Sequence, residues 1–477
     1  MQAKTKIIAT IGPASNSPET LAKLVDAGVR IFRLNFSHGD ASSFVSLVKT
    51  IRSIEETRGF PITIMQDLSG PKIRLGIVEE GTLTFNKGDA AYLGPKRPDN
   101  ADKPYLPFDH PVVMKTIAVG DRMVLADGTL QFTVMEKKND SLYVLQADNA
   151  GSVTSRKGLS LPDKSIPVAA LTDKDKKDLR DGLRLGVDAV ALSFVQSAGD
   201  IVEARALIRA EGRDIPIVAK LERRNAVEHL DEILAVTDII MVARGDLGVE
   251  CPLELLPGIQ KKIIHACNKA AKPVIVATQM LLSMVNNPSP TRAETTDVAN
   301  AVLDGADCVM LSEETAMGNF PVETVAFMGK IASNAEKLEG DIHMHIKQYT
   351  PGEGAAGFIT YAACRLAEEI NADGLVAYSV SGMSARAIAS RRPRKKVYVI
   401  SPYSAALHRL NFSWGITPVN VEVGSYGHLE AVEHFVETSD LFAPGSTVIL
   451  TASQARCGMA TSRTDVSGAN VMKVFTK

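Results

Sequence analysis

The sequence predicts an α/β protein built on a (β/α)8 TIM barrel, with a small β-barrel domain inserted in it and an α/β domain at the C-terminus. Three observations lead to this fold class. Eight short apolar runs rich in β-branched residues recur along the first two thirds of the chain, mostly separated by amphipathic helical patterns. One β-rich interval interrupts this alternation, and a second series of strand and helix patterns begins after about residue 340.

The eight apolar runs are the predicted barrel strands. In chain order they read KIIATIG, IFRLNFS, ITIMQDL, AVALSFV, IVAKLE, IIMVARG, VIVATQM and CVMLSEE. Runs this short and this apolar are typical of parallel strands that are buried on both faces. An open doubly wound sheet is the alternative arrangement, and eight strand–helix units favour the closed barrel.

The interval from Pro71 to about Lys164 breaks the strand–helix rhythm. It is rich in glycine, proline and alternating apolar residues, as in EEGTLTFNKGDAAYLG, and it has no helical period. We expect residues 71–164 to form the inserted β-barrel domain, which leaves residues 1–70 and 165–340 for the barrel itself. Because the insertion follows the third strand, it leaves from the C-terminal end of the barrel and could act as a lid over a site there.

Residues 341–477 are predicted to form a separate α/β domain. Its strand patterns are GLVAYSV, KVYVISP, GITPVNV, STVILTA and VMKVFTK, with helical patterns between most of them. The polar segment KLEGDIHMHIKQYTPGEG is the expected connection to the barrel.

Composition and charge exclude several classes of protein. With 477 residues, 45% of them hydrophobic, the chain can bury a large core and is long enough for two or three domains. Lys and Arg number 53 against 55 Asp and Glu, so the bulk charge does not indicate a nucleic-acid partner. Five scattered cysteines without C-x-x-C pairing are typical of core thiols in a reducing compartment. No apolar stretch of about 18 residues occurs, so we expect a cytoplasmic protein without a membrane partner.

Polar side chains follow six of the predicted strands at their C-terminal ends, where barrels of this kind place their catalytic groups. Buried charges are costly unless they pair with each other, with a metal or with a ligand. We therefore expect these ends to form a site. The residues concerned are Arg33, Asn35, Ser37, Asp67, Lys220, Glu222, Arg244, Asp246, Thr278, Gln279 and Ser312.

The residue types constrain the chemistry of this site. Glu222 and Asp246 offer hard oxygen ligands from neighbouring strands, which suit Mg²⁺ or Mn²⁺. The free backbone N–H groups of Gly245 and Asp246, at a predicted helix start, can hold a carboxylate or a phosphate. Four cations are expected in the same region, which indicates a multiply anionic ligand: Arg33, Arg74, Lys220 and Arg244. Together these groups indicate phosphoryl transfer or enolate stabilisation, whereas P-loop and dinucleotide motifs are missing from their required contexts.

These segments together resemble the pyruvate kinase family over essentially the whole chain. The resemblance implies that the chain transfers the phosphoryl group of phosphoenolpyruvate to ADP, giving pyruvate and ATP, which is the final step of glycolysis. It also implies a homotetramer regulated by a phosphorylated metabolite. The matching segments are TKIIATIGPAS, RLNFSHG, DLSGPKIR, LTDKDKKDL, SFVQSAGD, AKLERRNA, MVARGDLGVE, ATQML, PTRAETTDVANAVLDGAD and VMLSEETA.

The resemblance implies a role for each matching residue. Glu222 and Asp246 are similar to the ligands of the essential divalent metal, and Lys220 to the cation that neutralises the phosphoryl group in transfer. Thr278 matches the hydroxyl near the carbon that receives a proton, with water and neighbouring groups as the alternative. The backbone of Gly245 and Asp246 matches the binding site of the substrate carboxylate. The phosphate-contacting arginines match Arg33 and Arg74, and the nucleotide side of the site matches Arg33, Asn35, His38 and Arg74.

The resemblance also implies a site for K⁺, formed by Asn35, Ser37, Asp67 and the carbonyl of Leu68. This sequence has Lys72 where potassium-dependent members usually carry glutamate, and an ammonium there could replace the bound K⁺. We therefore hypothesise that the protein works without added K⁺. A second departure is Glu313, where the family usually has a small residue, and it leaves the role of Ser312 open.

A candidate effector site lies in the segment YSVSGMSARAIASRRP. In the family, this loop between a strand and a helix holds the phosphate of a sugar-phosphate effector, and an ordinary helix cap is the alternative. Met383 stands where some fructose-bisphosphate-activated members have a basic residue, so a sugar monophosphate or AMP is the expected ligand. The residues that match the phosphate loop are Ser379, Ser381, Gly382 and Ser384.

Two other functions share part of this pattern. A Mg²⁺-dependent enolate lyase or aldolase would use the same metal carboxylates, but it would not require Lys220 or an ADP site. A metabolite sensor without enzymatic activity would use the C-terminal domain and would be favoured by a broken catalytic site. The catalytic positions at the strand ends are all occupied by the residues that the chemistry needs, which favours an active enzyme over a sensor.

Overall fold

A computed structural model describes residues 3–164, 166, 168–342, 348–349, 353–422, 426–453 and 469–477. Eight parallel strands close into a barrel, which confirms the predicted fold class and excludes the open sheet. Each strand pairs with its neighbours along the chain, and the first and eighth strands pair to close the barrel. The strands, numbered first to eighth, are Lys6–Thr10, Val29–Asn35, Thr63–Asp67, Ala189–Leu192, Ile217–Leu221, Ile239–Ala243, Val274–Ala277 and Cys308–Leu311.

Helices surround the barrel and pack their apolar faces on the outer side of its strands. Local sequence sets where several of them begin: Thr172 and Thr291 each form a capping box with the acidic residue three positions later. No helix in the described ranges is both long enough and apolar enough to span a membrane. The α-helices are Pro18–Ala27, Ala41–Arg58, Asp173–Leu185, Ala198–Ala210, Arg224–Glu228, Leu230–Val236, Arg244–Glu250, Leu256–Lys269, Arg292–Leu303, Glu313–Ala316 and Pro321–Ile342, with 3₁₀ turns at Leu253–Leu255 and Leu282–Val285.

The inserted segment folds as β structure, as its alternating pattern predicts. Its strands form a six-stranded sheet and a two-stranded sheet around one core, and hydrogen bonds between its described residues do not close them into a single barrel. The strands are Thr82–Phe85, Ala90–Gly94, Tyr105–Pro107, Arg122–Leu125, Leu130–Asn139, Leu142–Ala147, Gly151–Thr154 and Leu159–Ser160, with a short helix at Pro111–Met114 and a 3₁₀ turn at Ala126–Gly128.

The C-terminal part of the chain forms a five-stranded sheet, with one strand for each of the five predicted patterns. Four strands are parallel and the last runs antiparallel to its neighbour. The strands are Gly374–Tyr378, Val397–Ser401, Ile416–Asn420, Thr447–Ala452 and Val471–Thr476, and the helices are Gly354–Glu369, Met383–Ser390, Ser404–Leu410 and His428–Thr438. The helix Pro321–Ile342 runs into the predicted connection, of which residues 343–347 and 350–352 lie outside the described residues.

A side chain from the C-terminal part completes the interior of the barrel. Phe412 is fully buried in the cluster of side chains that fills the barrel, and its carbonyl accepts a hydrogen bond from the Cys308 thiol at 3.3 Å. Cys308 begins the eighth strand, so Phe412 lies at the end of the barrel where the strands start. The remaining members of this cluster are Ile8, Ile31, Met65, Ala189, Ala191, Val218, Ile239, Met241, Ile275, Ala277 and Met310.

The described cysteines are core residues, as predicted. Cys251, Cys267, Cys308 and Cys364 are buried and free of disulfide bonds, and Cys457 lies outside the described residues. Burial raises the pKa of the Cys364 thiol to about 12, so this thiol stays protonated at neutral pH.

We predict that Phe412→Ala lowers the free energy of unfolding by about 3–5 kcal/mol, because it empties a buried aromatic site at the base of the barrel. Chemical denaturation of the full chain measures the effect. The matched control is Tyr403→Ala, because Tyr403 is 53% exposed. Equal and small losses in both variants would contradict a structural role for Phe412 in the barrel.

Candidate active site

A buried ammonium lies at the centre of the barrel end where the strands finish, which we call the barrel mouth. Lys220, near the end of the fifth strand, has only 10% of its side chain exposed. Its Nζ lies 2.9 Å from Glu222 Oε1 and 3.2 Å from Asp67 Oδ1, and it donates a 2.6 Å hydrogen bond to Ser193 Oγ. Burial alone would lower the pKa of Lys220, but the charges of Asp67 and Glu222 raise it overall, so the side chain remains an ammonium.

Asp67, the last residue of the third strand, serves two cations at once. One carboxylate oxygen faces Lys220, and the other lies 2.5 Å from Arg33 Nη2 and 2.6 Å from Arg33 Nε. Arg33 also donates from Nη1 to Thr10 Oγ1 at 3.1 Å. Burial would raise the pKa of Asp67, yet Lys220 and Arg33 lower it overall. Asp67 is therefore an ionised carboxylate that holds both cations in place.

Glu222 follows the fifth strand and is almost fully buried. Its Oε1 faces Lys220, and its Oε2 accepts a 2.6 Å hydrogen bond from the backbone N–H of Phe194. Burial raises the pKa of Glu222, and the negative charge of Asp246 raises it further against the opposing effect of Lys220. The carboxylates of Glu222 and Asp246 are therefore close enough to repel each other. A cation bound by both of them would relieve this repulsion.

Asp246 lies in the first turn of the helix that follows the sixth strand. Its Oδ1 is 3.2 Å from Lys72 Nζ, and both side chains are about one-third exposed. Gly245 beside it packs against the seventh strand, because a Cβ on Gly245 would lie only 2.8 Å from Thr278 Cγ2. A glycine is therefore needed at position 245 for the backbone to approach Thr278 this closely.

Thr278 follows the seventh strand in an unusual backbone conformation. Its φ is +77°, a left-handed value that β-branched residues rarely adopt. Arg244 Nη2 donates to the Thr278 carbonyl at 2.8 Å, and Arg244 Nη1 lies 2.7 Å from Asp297 Oδ1. The guanidinium of Arg244 therefore supports the backbone around Thr278, and it is engaged by the protein instead of facing an anionic ligand.

The residues predicted for K⁺ lie at the ends of the second and third strands. Asn35 Oδ1 accepts a hydrogen bond from the Ser37 N–H at 3.1 Å, and Ser37 and His38 are exposed. The Leu68 carbonyl accepts a 2.7 Å hydrogen bond from Ser193 Oγ. Leu68 and Asp67 are therefore connected to Lys220, whereas Ser37 and His38 are exposed and Asn35 is partly buried.

Two predicted residues lie away from this network. Arg74 is exposed in the inserted segment, and it donates a hydrogen bond to the Arg156 carbonyl at 3.1 Å. No hydrogen bond or ion pair among the described residues connects Arg74 to the network around Lys220. Glu313 is exposed, while the Ser312 N–H donates to the buried carboxylate of Glu314 at 2.7 Å. The backbone of Ser312 is therefore held in place by this hydrogen bond to Glu314.

Ser193 is the member of the network that sequence reasoning missed. It follows the fourth strand and is buried, and it links the Lys220 ammonium to the Leu68 carbonyl. It also lies 3.5 Å from Asp67 Oδ1. A signal was present, because the fourth apolar run AVALSFV contains a serine at the point where its apolar strand pattern AVAL stops, as other runs carry charged residues near their ends.

The candidate effector loop lies between a strand and a helix, as predicted. Ser379 Oγ accepts a hydrogen bond from the Gly382 N–H at 3.1 Å, and Gly382 has a φ of +84°, which favours glycine. Ser384 Oγ accepts from the Ala469 N–H at 3.0 Å. Ser381 is partly buried and Met383 is exposed. Two of the three serine hydroxyls in this loop are therefore held by backbone donors.

Comparison with known proteins identifies the family. The family model described as the barrel domain of pyruvate kinase matches residues 2–325, and the model of the pyruvate kinase alpha/beta domain matches residues 358–475. The chain belongs to the pyruvate kinase family. A pyruvate kinase of Agrobacterium vitis is 40% identical over 457 residues, which cover 94% of this chain and 93% of that protein. Pyruvate kinase 2 of Synechocystis is 39% identical over 99% of this chain and 80% of its own length.

A eukaryotic relative shows the same likeness. The pyruvate kinase of Schizosaccharomyces pombe is 40% identical over 88% of this chain and 84% of its own length. The prediction that the chain is a pyruvate kinase, which transfers the phosphoryl group of phosphoenolpyruvate to ADP, is thereby confirmed. The barrel and the C-terminal α/β domain of pyruvate kinase agree with the described fold.

We predict that Ser193→Ala lowers kcat about 10- to 100-fold in the conversion of phosphoenolpyruvate and ADP to pyruvate and ATP. The reason is the loss of a hydrogen bond to a buried ammonium, which is worth about 1.5–3 kcal/mol. Ser193→Thr keeps the hydroxyl and restores part of the rate. A lower melting temperature with unchanged kcat in Ser193→Ala would show that Ser193 only supports folding.

Proposed function

We propose that the barrel mouth performs phosphoryl transfer through the Lys220 ammonium, with Glu222 and Asp246 as ligands of a divalent metal. The observation that supports this most strongly is the position of Lys220, which is buried, charged and held by Asp67, Glu222 and Ser193. A loose phosphoryl-transfer transition state needs positioned positive charge more than it needs covalent chemistry. A preorganised ammonium in a dry site supplies such charge.

The donor set fits Mg²⁺ or Mn²⁺. No group of three or more His, Cys, Asp or Glu side chains in the described part of the chain could hold a metal. Mg²⁺ usually takes only one or two protein carboxylates and fills its other positions with water and substrate oxygens, which a pair such as Glu222 and Asp246 would allow. When bound, the metal would supply charge neutralisation on the transferred phosphate.

The remaining groups bind and orient the substrate in this proposal. Arg33 faces the mouth with its guanidinium fixed by Asp67 and neutralises phosphate charge. The backbone N–H groups of Gly245 and Asp246 lie in the first turn of a helix, where N–H groups lack intrahelical acceptors, and they hold the substrate carboxylate. Thr278 packs against Gly245, so its hydroxyl would lie beside the carbon that is protonated.

Lys72 supports the proposal that K⁺ is not required. Its ammonium lies 3.2 Å from Asp246, so a fixed positive charge stands beside one of the proposed metal ligands. A protein cation in this position performs the electrostatic role that a bound K⁺ would have near Asp67 and Leu68. Asn35 would then serve the nucleotide side of the site, with Arg33, His38 and Arg74.

Regulation and assembly complete the proposal. We infer that the loop of Ser379, Ser381, Gly382 and Ser384 binds a phosphorylated effector, with a sugar monophosphate or AMP favoured by the exposed Met383. A homotetramer would let effector sites and active sites influence each other across subunit interfaces. The buried, unpaired cysteines are consistent with a cytoplasmic location.

We predict different defects for the two charged residues at the end of the fifth strand. Lys220→Ala should keep metal and substrate binding but lower kcat by about 10²–10³-fold, because it removes charge that stabilises the transition state. Glu222→Ala should first weaken metal affinity. Mn²⁺ binding measured by electron paramagnetic resonance, beside an assay of ATP formation, separates the effects. If both variants lose equal folding stability and bind the metal as well as the wild type does, Lys220 and Glu222 form only a structural ion pair and the proposed roles are wrong.

We predict that the wild type is fully active with Mg²⁺ when Na⁺ and K⁺ are replaced by an organic cation. Lys72→Glu should create a requirement for K⁺, because it removes the ammonium that stands beside Asp246. We compare the initial rates of ATP formation measured with and without KCl at about 100 mM, which is close to physiological ionic strength. Strict K⁺ activation of the wild type would reject the replacement of K⁺ by Lys72.

We predict that a sugar monophosphate or AMP raises the initial rate at sub-saturating phosphoenolpyruvate. Ser384→Ala should weaken this response by removing one hydroxyl from the phosphate loop, and Arg365→Gln, which changes an exposed residue of the same domain outside the loop, serves as the control. No response of the wild type to either class of compound would reject the effector site.

A further inference from the structure

Two chain segments join the inserted domain to the barrel, and one buried carboxylate binds both of them. The departing segment, residues 68–72, follows the third strand, and the returning segment, residues 168–172, leads to the helix Asp173–Leu185. Asp175 lies in the first turn of this helix and is fully buried. Its Oδ1 accepts a hydrogen bond from the Gly70 N–H in the departing segment at 3.1 Å.

The other oxygen of Asp175 binds the returning segment. Asp175 Oδ2 accepts hydrogen bonds from the Thr172 N–H at 3.0 Å and from Thr172 Oγ1 at 2.5 Å, and the Asp175 N–H donates to Thr172 Oγ1 at 3.1 Å. This reciprocal pattern is a capping box, which helix formation alone explains. The bond to Gly70 lies outside that pattern, because Gly70 is 105 positions away in the sequence. Asp175 therefore fixes the two segments relative to each other.

Gly70 packs closely against two residues of the barrel mouth. A Cβ on Gly70 would lie 2.8 Å from Ser193 Cβ and 2.8 Å from Phe194 Cδ2, and the φ of Gly70 is +66°. The Gly70 carbonyl also accepts a hydrogen bond from the Lys72 N–H at 3.0 Å. Only glycine fits this position without strain, and the position of its peptide limits the space available to Ser193 and Phe194.

Ser193 and Phe194 bind the charged groups of the mouth. Ser193 Oγ accepts the 2.6 Å hydrogen bond from Lys220 Nζ, and the Phe194 N–H donates the 2.6 Å hydrogen bond to Glu222 Oε2. A displacement of the departing segment would therefore move the partners of both the ammonium and the carboxylate.

We propose that Asp175 is a positioning residue for phosphoryl transfer. By holding Gly70 against Ser193, it keeps the hydrogen-bond acceptor of Lys220 in the place that the reaction requires, and the inference thus rests on the proposed role of Lys220. A carboxylate suits this task, because its two oxygens accept hydrogen bonds from two chain segments at once, whereas an amide has one oxygen. A misplacement of about 1 Å that begins away from the reacting atoms is enough to slow a reaction about 100-fold.

The test compares Asp175→Asn with Glu294→Gln in the full chain. Glu294 is the matched control, because it forms the same capping box, with Thr291, and also accepts a 2.7 Å hydrogen bond from a backbone N–H outside its helix, that of Ser283. Each substitution removes a capping-box charge with little change of shape, but only Asp175 binds the departing segment. We measure thermal unfolding, kcat, and KM for phosphoenolpyruvate.

The expected result is a similar loss of melting temperature in both variants, with kcat lowered about tenfold only in Asp175→Asn and KM changed less than kcat. Gly70→Ala, which displaces the same peptide while Asp175 is intact, should lower kcat as well. When Asp175→Asn is combined with Ser193→Ala, kcat should fall by less than the product of the two single effects, because both act on the same hydrogen bond to Lys220.

A wild-type kcat in Asp175→Asn, beside a lower melting temperature, would overturn the inference and leave Asp175 as a helix cap. Fully multiplicative effects in the double variant would also overturn it, because Asp175 would then not act through Ser193. If Ser193→Ala itself keeps the wild-type kcat, the proposed role of the network around Lys220 is wrong and the inference fails with it. A large effect of Ser193→Ala and none of Asp175→Asn overturns the inference alone.

Discussion

A buried ammonium is the constraint on which the barrel mouth depends. Lys220 can remain charged away from water only because Asp67, Glu222 and Ser193 surround it, and these partners come from the ends of three different strands. Asp67 then fixes Arg33 as well, so one carboxylate positions both cations that are proposed to meet the phosphate. These strands are neighbours in the closed barrel, so their C-terminal ends bring the groups together.

Two residues whose backbone groups contact the residues of the barrel mouth have strained backbone conformations. Phe194 has a φ of +55° and directs its N–H to Glu222, and Thr278 has a φ of +77° with its carbonyl bound by Arg244. Such conformations cost about 1–3 kcal/mol each and persist where surrounding contacts hold them. At the opposite end, Phe412 closes the barrel interior. Buried apolar contacts thus stabilise the base of the barrel, whereas the mouth contains positioned charges and strained backbone.

Sequence patterns predict the barrel well because each strand carries its own signal. Eight apolar runs match eight strands, and the charged ends of those runs include Lys220, Glu222 and Asp67, which the structure brings together. Ser193 was overlooked because a neutral serine at a strand end also has many structural roles. The contacts of Phe412 could not be predicted, since periodicity indicates which face of an element is buried and not which domain covers it.

The charge state of Lys220 is the most direct measure of whether the mouth is built to hold positive charge. The ¹³Cε resonance of Lys220 can be followed with pH in protein labelled on lysine and assigned with Lys220→Arg. Because Asp67 and Glu222 raise the pKa of Lys220 above its ordinary value of 10.5, we expect the resonance to keep its ammonium position while exposed lysines titrate. Titration of Lys220 near neutral pH would contradict this, because the site would then lack its permanent cation.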